Sequence, residues 1–322
     1  MKDIEILAPA PLREMIIKQL KEKFTLHCLW EQAQPDTYLD RIAPHISGLA
    51  AGGHSIIDAP LIDRLPALEI ISCFGVGYDH VDAAYAGEKG VIVTNTPDVL
   101  TDEVADAAVG LLIATLRQFP QADRFVREGS WQQGAFPLTS TLRERTIGMV
   151  GLGRIGLAIA HRLESFGVRI IYHTRTPKVE SGYTHYSSLK RMARDADVLM
   201  ITTPGGDSTK HLIDSQVIKE LGPNGVLINI ARGSVVDEKA LIDALQKRII
   251  HSAGLDVYEN EPNVPQSLVD MDHVVLLPHI GSGSLYTRDA MGQLLVDNLT
   301  SWFSKKPPLT PVVETPFSSH RD

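Results

Sequence analysis

The chain has 322 residues, of which 43% are hydrophobic and 22% are charged, and its formal net charge is −8. This length indicates about two domains. The negative charge argues against a nucleic acid or a membrane surface as a partner, and no apolar run is long enough to span a bilayer.

The first hundred residues alternate short apolar runs with a helical pattern. A helix is predicted at 11–22, and strands are predicted at 4–8, 24–29, 48–51, 69–73 and 91–94. Such alternation is typical of a doubly wound parallel sheet. Asn95-Thr96-Pro97 interrupts the pattern, and an apolar helix is predicted over 101–116.

A glycine motif follows the next predicted strand, 146–150. Gly151-Leu152-Gly153-Arg154-Ile155-Gly156 leads into a helical pattern over 154–166, and a further strand is predicted at 168–172. Strand, glycine turn, helix and strand are the context that a dinucleotide-binding motif requires. The three glycines permit a tight turn, a close approach of the backbone to a pyrophosphate, and close packing of helix on strand.

The residues after that second strand bear on the choice of cofactor. An NAD site has an acidic residue there, which binds the ribose hydroxyls, whereas this chain has His173-Thr174-Arg175-Thr176. Arg175 can bind a 2′-phosphate, and the two threonines offer hydroxyl donors. A charged hydrogen bond contributes roughly 1.5–3 kcal/mol. The sequence therefore predicts NADP(H), with NAD(H) bound more weakly.

The remaining elements complete two domains. Strands are predicted at 198–202, 226–230, 252–256 and 273–277, and a last helix at 287–303. We expect this helix to return to the first domain, which gives 1–97 plus 288–322 as one domain and 98–287 as an inserted second domain. The ligand is then expected in a cleft between the two domains. The tail from 307 to 322 is polar and expected at the surface or partly disordered.

Polar side chains follow the strands of the second domain where the strands end. They are Arg232, Asp256, Glu261 and His279. Because ligands bind beyond the carboxyl ends of parallel strands, these four residues form a candidate site with the glycine turn. In the first domain, two glycine loops at 74–80 and 50–55 could present free backbone N–H groups to a carboxylate.

Four segments together resemble the D-2-hydroxyacid dehydrogenase family over nearly the whole chain. They are the glycine motif, Asn229–Gly233, Gly254–Pro262 and Pro278–Ser282. The chain is most similar to the NADPH-dependent glyoxylate/hydroxypyruvate reductase branch. The resemblance implies a flavodoxin-like substrate domain, an inserted Rossmann domain for the dinucleotide, and a small 2-keto acid as substrate.

The resemblance also implies a role for each candidate residue. Arg232 would bind the carboxylate of the keto acid and polarise its carbonyl group through its planar fork. His279 would donate a proton to the carbonyl oxygen, while Glu261 would orient the ring and favour the imidazolium. Asp256 would contact the carboxamide end of the nicotinamide. Further substrate-binding candidates are Val76, Gly77, Gly53 and Arg288. The cofactor-binding set is Gly151, Gly153, Arg154, Ile155, Gly156, Thr174, Arg175, Thr176, Ile230, Arg232, Asp256, His279 and Gly281.

Other interpretations stay open at this stage. The substrate could be 2-ketogluconate or hydroxyphenylpyruvate, because the loops that would line the pocket cannot be placed from the sequence. A protein similar to the corepressors of the same family would sense the dinucleotide without turnover. Family resemblance implies a homodimer, and the segments 101–116 and 117–137 can bury against a second copy.

Cysteine and histidine patterns bear on compartment and metals. Cys28 and Cys73 make no disulfide framework and suit a reducing cytoplasm. The chain passes from Lys2-Asp3 into a strand-like run without the features of a signal peptide. The 12 histidines lack metal-ligand spacing, so no metal is expected.

Overall fold

The computed structural model describes residues 1–52 and 55–317. Its strands are β1 Glu5–Ala8, β2 Thr25–Cys28, β3 Ile46–Ala51, β4 Ile70–Cys73, β5 Ile92–Thr94, β6 Thr146–Val150, β7 Arg169–His173, β8 Thr184–His185, β9 Val198–Ile201, β10 Val226–Asn229, β11 Ser252–Leu255 and β12 Val274–Leu276. Most are short runs of buried apolar residues, as expected for strands covered on both faces.

The helices lie between these strands. They are α1 Glu14–Lys23, α2 Pro35–Ile42, α3 Ala59–Asp63, α4 Ala83–Glu88, α5 Thr101–Arg117, α6 Phe119–Arg127, α7 Arg154–Glu164, α8 Leu189–Asp195, α9 Ser215–Leu221, α10 Glu238–Gln246, α11 Gln266–Val269 and α12 Leu285–Phe303. Side-chain caps begin several of them: Asp237 accepts from the Ala240 N–H at α10, and Ser284 accepts from the Thr287 N–H at α12. These caps satisfy N–H groups that a helix leaves unpaired.

Two parallel sheets carry the fold. The first has the order β2-β1-β3-β4-β5, and the second has the order β12-β11-β10-β9-β6-β7-β8. The first order is that of flavodoxin-like sheets, and the second contains the six-strand Rossmann order with β12 added at one edge. The predicted fold class, two doubly wound parallel-sheet domains, is confirmed.

The chain divides into two compact units. The discontinuous unit contains Met1–Leu100 and the described residues from Ser284 onward, and the central unit contains Thr101–Gly283. Among the described residues, no helix combines the length and the apolar character needed to cross a membrane.

The discontinuous unit buries apolar side chains on both faces of its sheet. Leu49 and Ile71 belong to the cluster on one face, while Ile6 and Ile70 pack with Leu295 of α12 on the other. The end of the chain is more ordered than its composition suggests: Thr315 is 4% exposed, and its hydroxyl accepts from the Val93 N–H at 2.9 Å. Other residues of the tail lie at the surface, as expected: Leu309 is 54% exposed and Val313 is 84% exposed. Residues 318–322 lie outside the described residues.

The central unit has the same layered arrangement. One face of its sheet packs against α8, α9 and α10, and the other packs against α5 and α7. Gly254 of β11 lies against α5, since a Cβ there would come within 2.4 Å of the Thr115 hydroxyl oxygen. This packing fixes the ends of the central strands, where the candidate site residues lie.

Candidate active site

The glycine turn after β6 has the geometry of an anion cradle. Gly151 has φ +94°, and a Cβ there would lie 3.0 Å from the backbone nitrogen of Thr203. A Cβ on Gly156 would lie 2.9 Å from the Gly151 carbonyl oxygen, so the helix and the turn are in close contact. At Gly153, which caps the 11-residue α7, a Cβ would meet nothing within 4 Å. This open space at a helix N-terminus fits the pyrophosphate of a dinucleotide.

The loop after β7 contains no acidic residue at the position where NAD sites have one. The Thr174 hydroxyl donates to the Thr176 carbonyl oxygen at 2.7 Å, which fixes the turn. Arg175 and Thr176 are exposed, and Arg175 makes no hydrogen bond or ion pair with any described residue. An exposed guanidinium of this kind fits a 2′-phosphate better than a bare ribose.

Arg232 follows β10 on a short loop that Asn229 organises. The Asn229 side chain donates to the Arg232 carbonyl oxygen at 2.9 Å and accepts from the Ala231 N–H at 3.0 Å. The Arg232 guanidinium is part-buried and donates to the Ala231 carbonyl oxygen at 2.7 Å. The loop therefore holds a cation at the carboxyl end of the sheet.

Asp256 ends β11 and is 2% exposed. Its two carboxylate oxygens accept from the N–H groups of Ile280 and Gly281, at 2.7 and 2.8 Å. Burial raises the pKa of Asp256, and these two backbone hydrogen bonds act in the opposite direction. The carboxylate thus holds the turn that carries His279, and the predicted contact of Asp256 with the cofactor stays a prediction.

His279 and Glu261 form a hydrogen-bonded pair. The His279 Nδ1 lies 2.7 Å from Glu261 Oε2, and Glu261 Oε1 accepts from the Tyr258 N–H at 3.0 Å. His279 has φ +54°, uncommon for a residue with a side chain, and its side chain is 44% exposed. Nε2 has no hydrogen-bond partner among the described residues, so this nitrogen is available to a ligand.

Glu261 stays ionised in this environment. Burial raises the pKa of Glu261, but hydrogen bonds from His279 and the Tyr258 N–H, together with attraction to His279 and Arg232, bring it below its ordinary value. A carboxylate fixed beside an imidazole orients the ring and stabilises its protonated form. The pair can therefore hold and release a proton at Nε2.

The discontinuous unit has a second polar loop, after β4. The Gly75 N–H donates to the Thr96 hydroxyl at 3.0 Å, and the Asn95 side chain donates to the Val76 carbonyl oxygen at 2.9 Å. The N–H groups of Val76 and Gly77 have no partner among the described residues. Two adjacent free N–H groups suit a carboxylate.

The other predicted substrate residues have mixed outcomes. Arg288, near the start of α12, stacks over the Phe74 ring with its guanidinium carbon 5.7 Å from the ring centroid. Gly53 lies outside the described residues.

The described residues contain no group of three or more His, Cys, Asp or Glu side chains arranged to hold a metal.

Within the central unit, the structure places the predicted residues at one edge of the sheet. Arg232, Asp256, Glu261 and His279 all lie where β10, β11 and β12 end, and the glycine turn follows β6 at the same edge. Sequence reasoning missed the supporting residues. Asn229 could have been noticed, because it is a polar residue at the end of an apolar strand. The contact between Gly233 and Tyr258 joins segments that are distant in the sequence, so no local pattern indicates it.

Comparisons with known proteins agree with this geometry. Residues 109–281 match the model of the D-isomer specific 2-hydroxyacid dehydrogenase NAD binding domain. A hydroxyphenylpyruvate reductase of Plectranthus scutellarioides is 46% identical over 97% of this chain and 100% of its own length. A glyoxylate/hydroxypyruvate reductase of Arabidopsis thaliana is 44% identical over the same shares. The crystal structure of an NADPH-dependent glyoxylate/hydroxypyruvate reductase of Sinorhizobium meliloti, in complex with NADP and malonate, superimposes with a TM-score of 0.92 at 49% identity and covers 98% of each chain.

Proposed function

Because the chain belongs to the D-isomer specific 2-hydroxyacid dehydrogenase family, we propose that it reduces small 2-keto acids with NADPH, taking glyoxylate to glycolate and hydroxypyruvate to D-glycerate. The observation that carries the proposal is the 2.7 Å contact of His279 Nδ1 with Glu261 Oε2, which leaves Nε2 without a described partner. A keto acid needs one proton donor as its carbonyl becomes an alcohol, and this pair supplies it.

Arg232 is proposed to bind the substrate. Its guanidinium has the planar fork that matches a carboxylate and can also polarise the adjacent carbonyl group. The N–H groups of Val76 and Gly77, which have no partner among the described residues, are proposed to bind a substrate carboxylate, and Gly53 and Arg288 are proposed as further substrate-binding residues. His279 Nε2 is proposed to transfer its proton to the carbonyl oxygen that Arg232 polarises.

The cofactor is NADP(H), which supplies the hydride when bound. The glycine turn and α7 are proposed to hold its pyrophosphate, and Arg175 its 2′-phosphate. The cofactor-binding residues proposed are Gly151, Gly153, Arg154, Ile155, Gly156, Thr174, Arg175, Thr176, Ile230, Arg232, Asp256, His279 and Gly281. NAD(H) shares all of these contacts except those to the phosphate, so it is expected to bind more weakly.

Arg175→Ala is expected to weaken NADPH binding about 10- to 100-fold, the range for one charged hydrogen bond. NADH has no 2′-phosphate, so its dissociation constant should change far less. Fluorescence titration with both dinucleotides measures the two constants. Arg169→Ala, which removes an exposed cation from the start of β7, is the control. Equal weakening of NADPH binding and NADH binding would show that Arg175 does not bind the 2′-phosphate.

Glu261→Gln is expected to shift the pH dependence of reduction. Reduction consumes one proton, which His279 is proposed to donate, so the rate falls as pH rises. Replacing the carboxylate by an amide removes the charge that stabilises the protonated ring, so the fall should occur at lower pH. Profiles of kcat against pH measure this, with Glu164→Gln as a surface control. An unmoved alkaline limit would remove Glu261 from this role.

Substrate identity is tested with a panel of 2-keto acids. The relatives suggest glyoxylate and hydroxypyruvate first, and hydroxyphenylpyruvate as the main alternative, with 2-ketogluconate as a further one. Values of kcat/KM for all four acids, each with NADPH and NADH, rank the candidates. Preference for an aromatic or a sugar acid would correct the substrate while leaving the reaction in place.

We propose that the protein is a homodimer that acts in the cytoplasm. Helix α6 has no buried residue, and apolar side chains of the segment 117–138 are exposed: Phe119 52%, Val126 54%, Trp131 67% and Leu138 102%. An apolar surface of this kind marks an association site. Both cysteines are buried free thiols, which suits a reducing compartment.

The dimer proposal predicts a mass in solution of twice the 35.3 kDa chain. Val126→Lys places a charge in the apolar surface and should give a monomer, as measured by light scattering. Glu22→Lys, at an exposed position of α1 outside the segment 117–138, is the control. A monomeric wild-type protein would contradict the proposal.

A further inference from the structure

Two segments of the central unit, one after β10 and one after β11, meet backbone to backbone. A Cβ on Gly233 would lie 1.9 Å from the carbonyl carbon of Tyr258 and 2.3 Å from the backbone nitrogen of Glu259. Any side chain at 233 would therefore push the two segments apart. The first segment carries Arg232, and the second carries Glu259 and Glu261.

Glu259 is held by two side chains. Its N–H donates to Glu238 Oε2 at 3.1 Å, and its own Oε1 lies 2.8 Å from His211 Nε2. Glu238 is the first residue of α10, so one support comes from a helix and the other from the loop that follows β9. We call His211, Glu238 and Glu259 the clamp.

His211 is itself fixed beside the Arg232 segment. It has φ +51°, and its N–H donates to the Ser234 carbonyl oxygen at 2.8 Å. Two residues later, the Ile213 N–H donates to the Val235 carbonyl oxygen at 3.0 Å. The loop after β9 is thus attached through its backbone to one segment and through the His211 ring to the other.

The clamp brings two carboxylates close together. Burial raises the pKa of Glu238, and the charge of Glu259 raises it further, while the Glu259 N–H acts in the opposite direction. The two carboxylates therefore repel each other when both are charged. The hydrogen bond between the His211 ring and Glu259 offsets that repulsion. Without the His211 ring, the two carboxylates would move apart.

We propose that His211 is a positioning residue for the proton donor, an inference that rests on the proposed reductase function. Its bond to Glu259 keeps the Tyr258–Glu261 segment in place. In that position the Tyr258 N–H reaches Glu261 Oε1 at 3.0 Å, and Glu261 Oε2 reaches His279 Nδ1 at 2.7 Å. His211 touches neither substrate nor cofactor in this account and acts through Glu261.

His211→Ala is the first test. We expect kcat to fall about 10-fold, at the low end of what the loss of a supporting partner costs at functional sites. The KM for the keto acid should change much less, and the alkaline limit should move to lower pH, as in Glu261→Gln. His211→Gln keeps a donor that can reach Glu259 and should recover most of the activity. Arg194→Ala, which breaks the 2.8 Å pair with Glu220 on the surface, is the control.

A double variant separates charge from shape. In His211→Ala with Glu238→Gln, the repulsion between the two carboxylates is absent and the amide oxygen can still accept the Glu259 N–H. This variant should therefore regain part of the turnover that His211→Ala loses. A further loss, with no recovery, would overturn the charge argument.

The outcomes distinguish this inference from the proposed function. A wild-type pH profile and turnover in His211→Ala would overturn the inference, as would equal impairment of the Ala and Gln variants. If the wild-type protein reduces no 2-keto acid, the proposed function fails, and the NMR signal of the proton between His279 Nδ1 and Glu261 Oε2 still tests the clamp. This signal should weaken or shift in His211→Ala, and an unchanged signal would contradict a positioning role.

Discussion

His279→Ala is expected to slow the reduction of keto acids, with kcat lower by about 100-fold or more, the range for a positioned acid. The KM should change less, because Arg232 is still present to bind the carboxylate. The physical reason is that His279 has no substitute at this edge of the sheet. Among the residues described, it alone combines a carboxylate partner at Nδ1 with an Nε2 that makes no hydrogen bond. Steady-state kinetics with glyoxylate and hydroxypyruvate measure the effect.

Two further variants show whether a loss of activity comes from misfolding or from the loss of the proton donor. His279→Gln keeps the size and polarity of the side chain but cannot donate a proton as an acid, so it should be nearly as slow. His45→Ala removes an exposed histidine from the discontinuous unit and should turn over normally. Near-normal turnover in both His279 variants, with unchanged circular dichroism, would reject His279 as the proton donor.

Arg232→Ala is expected to lower kcat/KM by about 100- to 10,000-fold. One charged hydrogen bond contributes roughly 1.5–3 kcal/mol, and a bidentate contact to a carboxylate has two of them. Arg232→Lys keeps the charge but loses the planar fork, so about 10-fold or more should still be lost. Because Arg232 is proposed to bind the carboxylate, most of the loss should appear as a higher KM. Because it is also proposed to polarise the carbonyl group, kcat should fall as well.

The matched control for Arg232 is Arg248→Lys, at an exposed site that follows α10 and precedes β11. Its kcat/KM should stay within about twofold of the wild type, as surface changes away from a site are usually small. An Arg232→Lys variant with wild-type kcat/KM would show that the guanidinium fork is not needed, and an Arg232→Ala variant with wild-type kcat/KM would remove Arg232 from the substrate site.

Much of the fold could be predicted from the sequence because its signals are local. Buried strands such as Val198–Ile201 are continuous apolar runs, and the glycine turn has a strand before it and a helix after it. Short elements gave no comparable signal. The two-residue β8 and the seven-residue α8 and α9 are too brief for a hydrophobic period to stand out, and they are set by packing on the sheet.

The candidate site divides in the same way. Arg232, Glu261 and His279 are polar residues directly after predicted strands, so their chain positions indicate their edge of the sheet. The supports depend on contacts between distant segments: Asp256 binds N–H groups 24 and 25 residues away, and His211 meets Glu259 48 residues away. Only the folded chain brings these partners together, and the packing of Thr315 on Val93 has the same origin.

Hydride transfer to the keto acid can be followed by incubation with hydroxypyruvate and NADPH that carries deuterium on its transferable position. We expect that NADPH is consumed, that glycerate forms in the D configuration with deuterium on its C2, and that all of this is about 100-fold or more slower in His279→Gln. A protein that binds NADPH but consumes none with any 2-keto acid would contradict the account and favour a dinucleotide-sensing role.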